Sequence, residues 1–474
     1  MPQDDLGRSL ASSSDEKPSE LRLEDGSTVA VIGGGPAGSF FAYFLLDMAE
    51  RVGLAIDVDI YEPKSFSTAG PGGCNHCGGI LSESLVQALA AEGINMPSTV
   101  VQRGIDSYIL HMDVGTVHIE TPLREKRIGA VNRGSGPKDM AEVRWESFDA
   151  HLLTMATEKG ARLVRGRVNE LTWNDGRPRV KIPDGLPKTY DFLAVAVGVN
   201  SSALKLFQGA GLGYAAPGTV KTFIREYHFG DETIGKHLGS SMHVFLPTTP
   251  GIDFAAMIPK GDFTTLCLLG EGIDTERMKS FLDSPEVKGC MPPGWVPDTM
   301  ACRCGPRMNV RGTTTPFADR VVFVGDCGMT RLYKDGIGAA YRTAKAAAST
   351  AVFSGISAKD FARRYSPVCR AIAADNLLGR VVFFVTHMIQ KLRFSRRAVL
   401  RMTADEQRRE EGRSRRMSIV LWDTFTGSAS YREILLRTLH PLFLVRFMWD
   451  NLVAIVTPLP RPERPARPSD QEVL

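Results

Sequence analysis

Gly33-x-Gly35-x-x-Gly38 sets three glycines at a spacing suited to gripping a pyrophosphate. The first makes a tight turn, the second lets the backbone approach the phosphates, and the third lets a helix pack closely on a strand. Pro36 and Ala37 lie between them and open the helix whose first N–H groups would receive the anion. Helix-end partial charge adds only about 0.3 to 1 kcal/mol per anionic group at an exposed end, so backbone hydrogen bonds and loop shape must supply most of the selectivity. Glu62 follows 24 residues after the last glycine. A carboxylate there would accept hydrogen bonds from an adenosine ribose and disfavour a 2′-phosphate.

A second chemical text begins a few residues later: Gly70-Pro-Gly-Gly-Cys74-Asn-His76-Cys77-Gly78-Gly79-Ile80. A thiol can be a proton donor, a redox partner, a metal ligand or a small buried apolar group, and all four readings stay open for Cys74 and Cys77. Cys302-x-Cys304 could complete a four-thiolate set, although its spacing is tighter than a usual zinc knuckle. No residues are assigned to a dedicated metal centre. His76 could change charge near neutral pH or simply brace a turn.

These groups need elements to position them. Thr28–Ile32 is a short β-branched run leading straight into the glycine turn, and the mostly apolar Ser39–Met48 follows as a helix. Ile56–Tyr61 is a second strand that ends at Glu62, completing a β-α-β unit. Further on, strand-like segments (Tyr108–His111, Val117–Thr121, Arg179–Ile182, Phe192–Val197, His243–Leu246, Phe254–Ile258, Thr264–Leu269, Val321–Val324) outnumber helices such as Arg144–Glu158 and Ala339–Phe353. The chain is therefore α/β with an inserted sheet.

Composition sets the outer limits. A chain of 474 residues suggests two to four packed units, and 43% hydrophobic with 23% charged residues excludes collagen-like, coiled-coil or wholly disordered classes. The formal charge of +4 is small for this length and disfavours a nucleic-acid partner. Eight cysteines are too few for a disulfide framework, and the polar residues 1–26 read as a disordered leader without a secretory signal. The expected compartment is the reducing cytoplasm.

Arg320-Val-Val-Phe-Val-Gly325-Asp326 is another short buried strand ending in Gly-Asp, followed by Lys334-Asp-Gly336-Ile337-Gly338 at the start of an alanine-rich helix. This resembles the second FAD fingerprint of glutathione-reductase-like flavoproteins. The resemblance implies that Gly325 and Asp326 contact the ribityl or pyrophosphate region, and that the helix start at Gly336, Ile337 and Gly338 faces the flavin. Val143-Arg144-Trp-Glu-Ser-Phe148-Asp149-x-x-Leu152 resembles the arginine-bearing helix of flavin hydroxylases and geranylgeranyl reductases. Arg144 could hold a phosphate or a flavin-facing backbone, or be a surface charge. Cys77-Gly-Gly-Ile80 resembles the Cys-Gly-Gly segment of the geranylgeranyl reductase family of FAD-dependent oxidoreductases. Gly198-Val-Asn200 and Lys334 depart from the patterns common there, the latter standing where many relatives have proline.

The resemblance implies a Rossmann-type FAD-binding domain (27–72, 140–205 and 306–355), a mixed β-sheet substrate domain (73–139 and 206–305) and a helical, basic region (356–457) before a proline-rich tail (458–474). It further implies reduction of a carbon–carbon double bond in an apolar, isoprenoid or polyene lipid. Flavin N5 would deliver hydride, with Cys77 the first choice of acid beside Cys74 and His76. The alternatives are an FAD-dependent monooxygenase of an apolar substrate and an electron-transfer flavoprotein with a cysteine metal or redox site. A second nucleotide-binding β-α-β unit is missing, so electrons would come from docked NAD(P)H, a ferredoxin-like protein or quinol.

Between Lys391 and Arg416 ten basic residues face four acidic ones, a net +6. The flanking apolar stretches Asn376–Ile389 and Ile434–Val456 are interrupted by Arg380, Arg437, His440, Arg446 and Asp450. Central charges cost about 2.5 to 3.5 kcal/mol each on insertion scales, which argues against spanning and for helices lying at an anionic membrane surface. The competing reading is that these helices close the substrate domain or a dimer.

Overall fold

The structure is a computed structural model, which describes residues 19–456 apart from 71, 76, 122–124, 139–144, 299 and 410–414. His76 and Arg144 therefore lie outside the described residues, as do the leader up to residue 18 and the tail from 457.

A six-stranded sheet carries the nucleotide motifs. Its spatial order is Phe317–Ala318, Val321–Phe323, Phe192–Val195, Ser27–Ile32, Ile56–Tyr61 and Arg162–Val164. All neighbours are parallel except the first pair, and Val29 lies between Val58 and Phe192 in register. The central strands read as unbroken apolar runs because both faces are covered, as parallel sheets require. Helices Pro36–Arg51 and Gly336–Phe353 pack together on one face, where Phe40 and Phe44 meet the Tyr341 ring edge-on at 5.7 and 5.5 Å.

The second sheet has eight strands. Seven run in the order Cys302–Cys304, Gly218–His228, Phe263–Leu269, Phe254–Pro259, Ser241–Phe245, Ser107–Met112 and Gly115–Glu120, and Arg307–Arg311 also pairs with Gly218–His228. There are also two three-stranded sheets: Ile80–Leu81, Ile128–Val131 and Val101–Ile105 form one, and Glu170–Asn174, Arg177–Lys181 and Lys188–Thr189 form the other, which packs with the six-stranded sheet through Val180 and Tyr190.

The C-terminal helices Ser366–Lys391, Arg393–Gln407, Arg416–Thr426, Tyr431–Thr438 and Pro441–Val456 share a core with the second sheet, joining Leu400, Val420 and Phe443 to Tyr108, Leu110 and Ile119. Two members of the basic run are tied into the fold. Arg396 is 5% exposed and binds Asp113 through two hydrogen bonds of 2.7 and 2.9 Å, while Arg401 lies 3.6 Å from the buried Asp450. Those two charges act within the fold instead of forming a solvated face.

Among the described residues no single helix is long and apolar enough to cross a membrane, although Tyr431–Thr438 and Pro441–Val456 together pass that test as a pair bent by 67°.

Candidate functional site

One cavity of about 1220 Å³ runs from the glycine turn, between the two large sheets, to helix Ser366–Lys391. Gly33 has φ +108°, and a Cβ there would lie 2.6 Å from the Ala196 carbonyl oxygen, so only glycine fits. Gly33, Gly35, Pro36 and Ala37 line the cavity, whereas Gly38 is buried against the Gly33 backbone and lets helix and strand close up. Glu62 also lines the groove. Its two carboxylate oxygens accept from the Gly34 and Lys64 amides, each at 2.8 Å, and burial raises its pKa.

The second motif meets the first directly. Gly325 (φ +66°) donates its N–H to Thr343 Oγ1 at 3.0 Å, and a Cβ on it would come within 2.6 Å of Ala37 Cβ. It holds the two motifs together but does not line the cavity. Asp326, next in sequence, does line it, and burial raises the pKa of its carboxyl. Gly336 and Ile337 face the cavity, while Gly338 is buried beside the Asp335 carboxylate.

The two helix starts facing this groove lack the side-chain caps found at several other helices. Ser82, Ser147, Asp274, Ser357 and Ser430 cap their helices with side-chain oxygens. Helices Pro36–Arg51 and Gly336–Phe353 have neither a side-chain cap nor an acid in the first turn. Their first N–H groups are thus left for an external acceptor, and the positive ends of both dipoles point into one cavity. A diphosphate lying against one start and an electron-rich ring edge against the other would satisfy them. The residues present fit FAD.

Arg144 lies outside the described residues, and Arg133 is one of several arginines that line the cavity, beside Arg167, Arg307, Arg331 and Arg380. Arg133 binds the fully buried Asp149 through two hydrogen bonds of 2.8 and 2.9 Å and reaches the Cys77 sulfur. Asn75 donates to the same carboxylate. Sequence reading missed Arg133 because nothing local distinguishes it. Asp149 sits in the quoted helix motif, and its total burial implies a cationic partner.

Cys77 lines the large cavity. Cys74, Cys77, Cys302 and Cys304 also converge with Glu226 on a second void of about 10 Å³, room for no more than one water. All eight cysteines are free thiols. Burial pushes the Cys304 thiol upward and the Cys267 thiol to about 12, which keeps both protonated at neutral pH.

Lys334 was read only as a departure from proline. The structure brings it into the cavity with its ammonium 4.0 Å from the centre of the Phe254 ring, and burial lowers its pKa to about 8. Around it Met242, Leu246, Ile258, Phe383 and Phe425 form mostly apolar walls. A cation in such surroundings, two residues before the helix start at Gly336, is a candidate functional group of the cavity.

No protein-family model matches the chain, and no curated protein matches it. Solved structures do. A flavoprotein/dehydrogenase from Cytophaga hutchinsonii is 14% identical with a TM-score of 0.57, over 90% of this chain and 100% of that one. The p-nitrophenol 4-monooxygenase PnpA from Pseudomonas putida DLL-E4 is 13% identical at TM-score 0.55, over 86% and 100%. The halogenase PltM in complex with FAD is 13% identical at TM-score 0.54, covering 91% of each. At these identities the likeness concerns the fold, and the fold is that of the FAD-binding Rossmann-type flavoenzymes that include monooxygenases and halogenases.

Proposed function

We propose that the chain is an FAD-dependent monooxygenase that hydroxylates or epoxidises an apolar ring or polyene. The observation that carries this reading is the single cavity in which the dinucleotide groove opens onto an apolar chamber holding Lys334. Bound and reduced, FAD supplies two electrons and the centre at which dioxygen is activated. The chamber walls exclude water from the reacting atoms. The Lys334 ammonium holds a proton beside the substrate and offers it to the oxygen that gains negative charge. Arg133, fixed by Asp149, fills the role expected of Arg144 at the groove.

One observation favours a second reading. The Cys77-Gly78-Gly79 loop lines the chamber, with the Gly79 N–H 3.4 Å from the Cys77 sulfur, and that loop carried the resemblance to geranylgeranyl reductases. Under this reading Cys77 would supply the proton to an isoprenoid double bond, and FAD, bound and reduced, would supply the hydride. Oxygen uptake separates the two. Purified flavin-loaded protein with extracted lipids, and NAD(P)H, a reduced ferredoxin or a quinol as donor, is expected to consume one dioxygen per product. Product formed in full without oxygen would sink the monooxygenase reading and support the reductase.

The substrate chamber extends toward an unusual surface. In helix Pro441–Val456 the outward positions Leu442, Val445, Met448, Trp449, Leu452 and Ile455 are each 60% or more exposed, and Arg446 pairs with Asp405 and Asp450 on the inner side. Within this helix the interrupting charges, Arg446 and Asp450, thus lie off its exposed apolar face. Helix Ser366–Lys391 likewise exposes Leu377, Val381, Phe384 and Val385, and Phe384 also lines the cavity. An apolar stripe at helical spacing, rimmed by exposed Arg380, Lys391 and Arg437, fits the interface of an anionic lipid bilayer. The flavin-loaded protein is expected to sediment with phosphatidylserine-containing vesicles. The double substitution Met448→Glu and Leu452→Glu should lower the bound fraction about tenfold or more without changing flavin content. Wild-type protein left in the supernatant, or paired with a second copy at working concentration, would overturn membrane docking.

A further inference from the structure

Away from the flavin cavity, two imidazoles and a thiol meet inside an apolar cluster. His111 belongs to strand Ser107–Met112 and His243 to the neighbouring parallel strand Ser241–Phe245, where His111 is in register with Phe245 and His243 with Ile109. That two-residue offset puts both side chains on one face of the sheet. Cys290 follows the short helix Pro285–Lys288, which closes over that face. His111, His243 and Cys290 are 7%, 3% and 7% exposed. Their ligating atoms all lie within 4.8 Å of one another.

We propose that His111 Nε2, His243 Nδ1 and Cys290 Sγ form a binding site for one thiophilic transition ion, either monovalent copper or divalent zinc. His111 Nε2 lies 3.0 Å from His243 Nδ1 and 3.5 Å from Cys290 Sγ. Metal bonds of about 2.0 Å to nitrogen and 2.3 Å to sulfur at a tetrahedral angle require separations of roughly 3.3 and 3.6 Å, so small shifts admit an ion. The outward ring nitrogens are already anchored. His111 Nδ1 is 3.2 Å from Thr116 Oγ1, and His243 Nε2 is 3.4 Å from the Leu238 carbonyl oxygen. Metal-binding histidines are oriented by such contacts of the remote nitrogen, which leave the near nitrogens facing the ion. The two ring planes are within 10° of parallel, with centroids 5.1 Å apart.

Charge and access agree with this assignment. Neutral imidazole is the ligating form of both histidines, and Cys290 would ligate as the thiolate. Binding therefore forms two metal–nitrogen bonds and one metal–sulfur bond while the thiol proton leaves to solvent, with no change in oxidation state. Monovalent copper with one thiolate leaves the site neutral and is content with three soft or borderline ligands. Zinc requires a fourth ligand, which a solvent molecule must supply. Thr116, the partner of His111 Nδ1, is exposed, so the contact chain of the site reaches the surface there.

The test uses the flavin-loaded full chain. Anaerobic titration with chelator-buffered monovalent copper, and separately with zinc, should show one equivalent bound and one proton released per ion. Cys290→Ser should weaken binding at least a hundredfold and remove the proton release, while Cys369→Ser changes neither. X-ray absorption at the edge of the bound metal should show one sulfur and two nitrogen neighbours, and this measurement needs no variant that might misfold. No stoichiometric uptake of either ion, or an all-oxygen shell around the metal, overturns the proposal.

Discussion

Valine in place of Gly35 is expected to give a folded protein that has lost its flavin. Gly35 is the residue before helix Pro36–Arg51, with φ −70° and ψ −176°, a conformation that any L-residue adopts. A Cβ at Gly35 would meet Asn75 Nδ2 at 3.4 Å and Arg133 Nη2 at 3.9 Å, which are ordinary contacts. The backbone therefore tolerates the change, but two methyl groups then occupy the space through which a diphosphate must approach the uncapped amides. Losing one or two charge-assisted hydrogen bonds, each worth about 1.5 to 3 kcal/mol, corresponds to a loss of affinity of roughly ten- to 20,000-fold. Gly33→Ala differs: its Cβ collides with the Ala196 carbonyl and its φ is positive, so that variant should lose stability as well as flavin. The measurements are flavin released on heating per mole of protein and the thermal unfolding midpoint. Gly35→Val that keeps a full equivalent of FAD would remove the first motif from the binding site.

How far the sequence disclosed this arrangement depended on how far apart the interacting residues lie. Strands Ser27–Ile32 and Val321–Phe323 were readable almost to the residue, because a strand buried on both faces is a plain apolar run, and so was Ile56–Tyr61, where Asp57 and Asp59 alternate with apolar residues. Strand Gly218–His228, the longest, went unread. Arg225 and Glu226 interrupt its pattern, and both stay in the interior, where Glu226 accepts from Thr265 Oγ1 on the adjacent strand at 3.3 Å. The helix expected from Arg144 begins at Phe148 instead, because the Ser147 hydroxyl accepts from the Ala150 amide and caps it there. Short helix Glu83–Ala91 was likewise unread behind the glycine-rich cysteine loop.

The functional residues divide along the same line. The two glycine motifs carry local geometric demands that each write themselves into a few consecutive residues. Arg133 and Lys334 have no such local demand; what distinguishes them is Asp149 in one case and the apolar chamber in the other. The basic run Lys391–Arg416 was legible as charge, but the partners that bury Arg396, above all Asp113, are almost 300 residues upstream. His111, His243 and Cys290 are separated by 132 and 47 positions and form no spacing motif at all.

Lys334→Met is expected to lower turnover by about 100- to 10,000-fold, the usual contribution of a positioned proton donor, with substrate and flavin still bound. Methionine keeps the length and apolar contacts of the stem against Phe254 while deleting the proton. The sign of the pH effect follows from the lowered pKa. Below about 8 Lys334 is an ammonium and can donate, and as pH rises through that value the donor form is lost. Wild-type turnover should therefore fall above about pH 8, and the variant should lack that limb. Lys334→Arg retains a cation that does not give up its proton, so it separates electrostatic attraction from proton donation: it should restore binding of an anionic intermediate but not the rate. Stability should move the other way. A lysine whose folded pKa lies below its unfolded value binds fewer protons when folded, so at neutral pH the buried ammonium opposes folding, and that opposition disappears above the unfolded pKa. Replacing it with methionine should raise the urea midpoint at pH 7. A residue that costs stability where it stands and speeds turnover is one retained for chemistry. Turnover and pH profile unchanged in Lys334→Met would instead leave the ammonium as a bystander in the chamber wall.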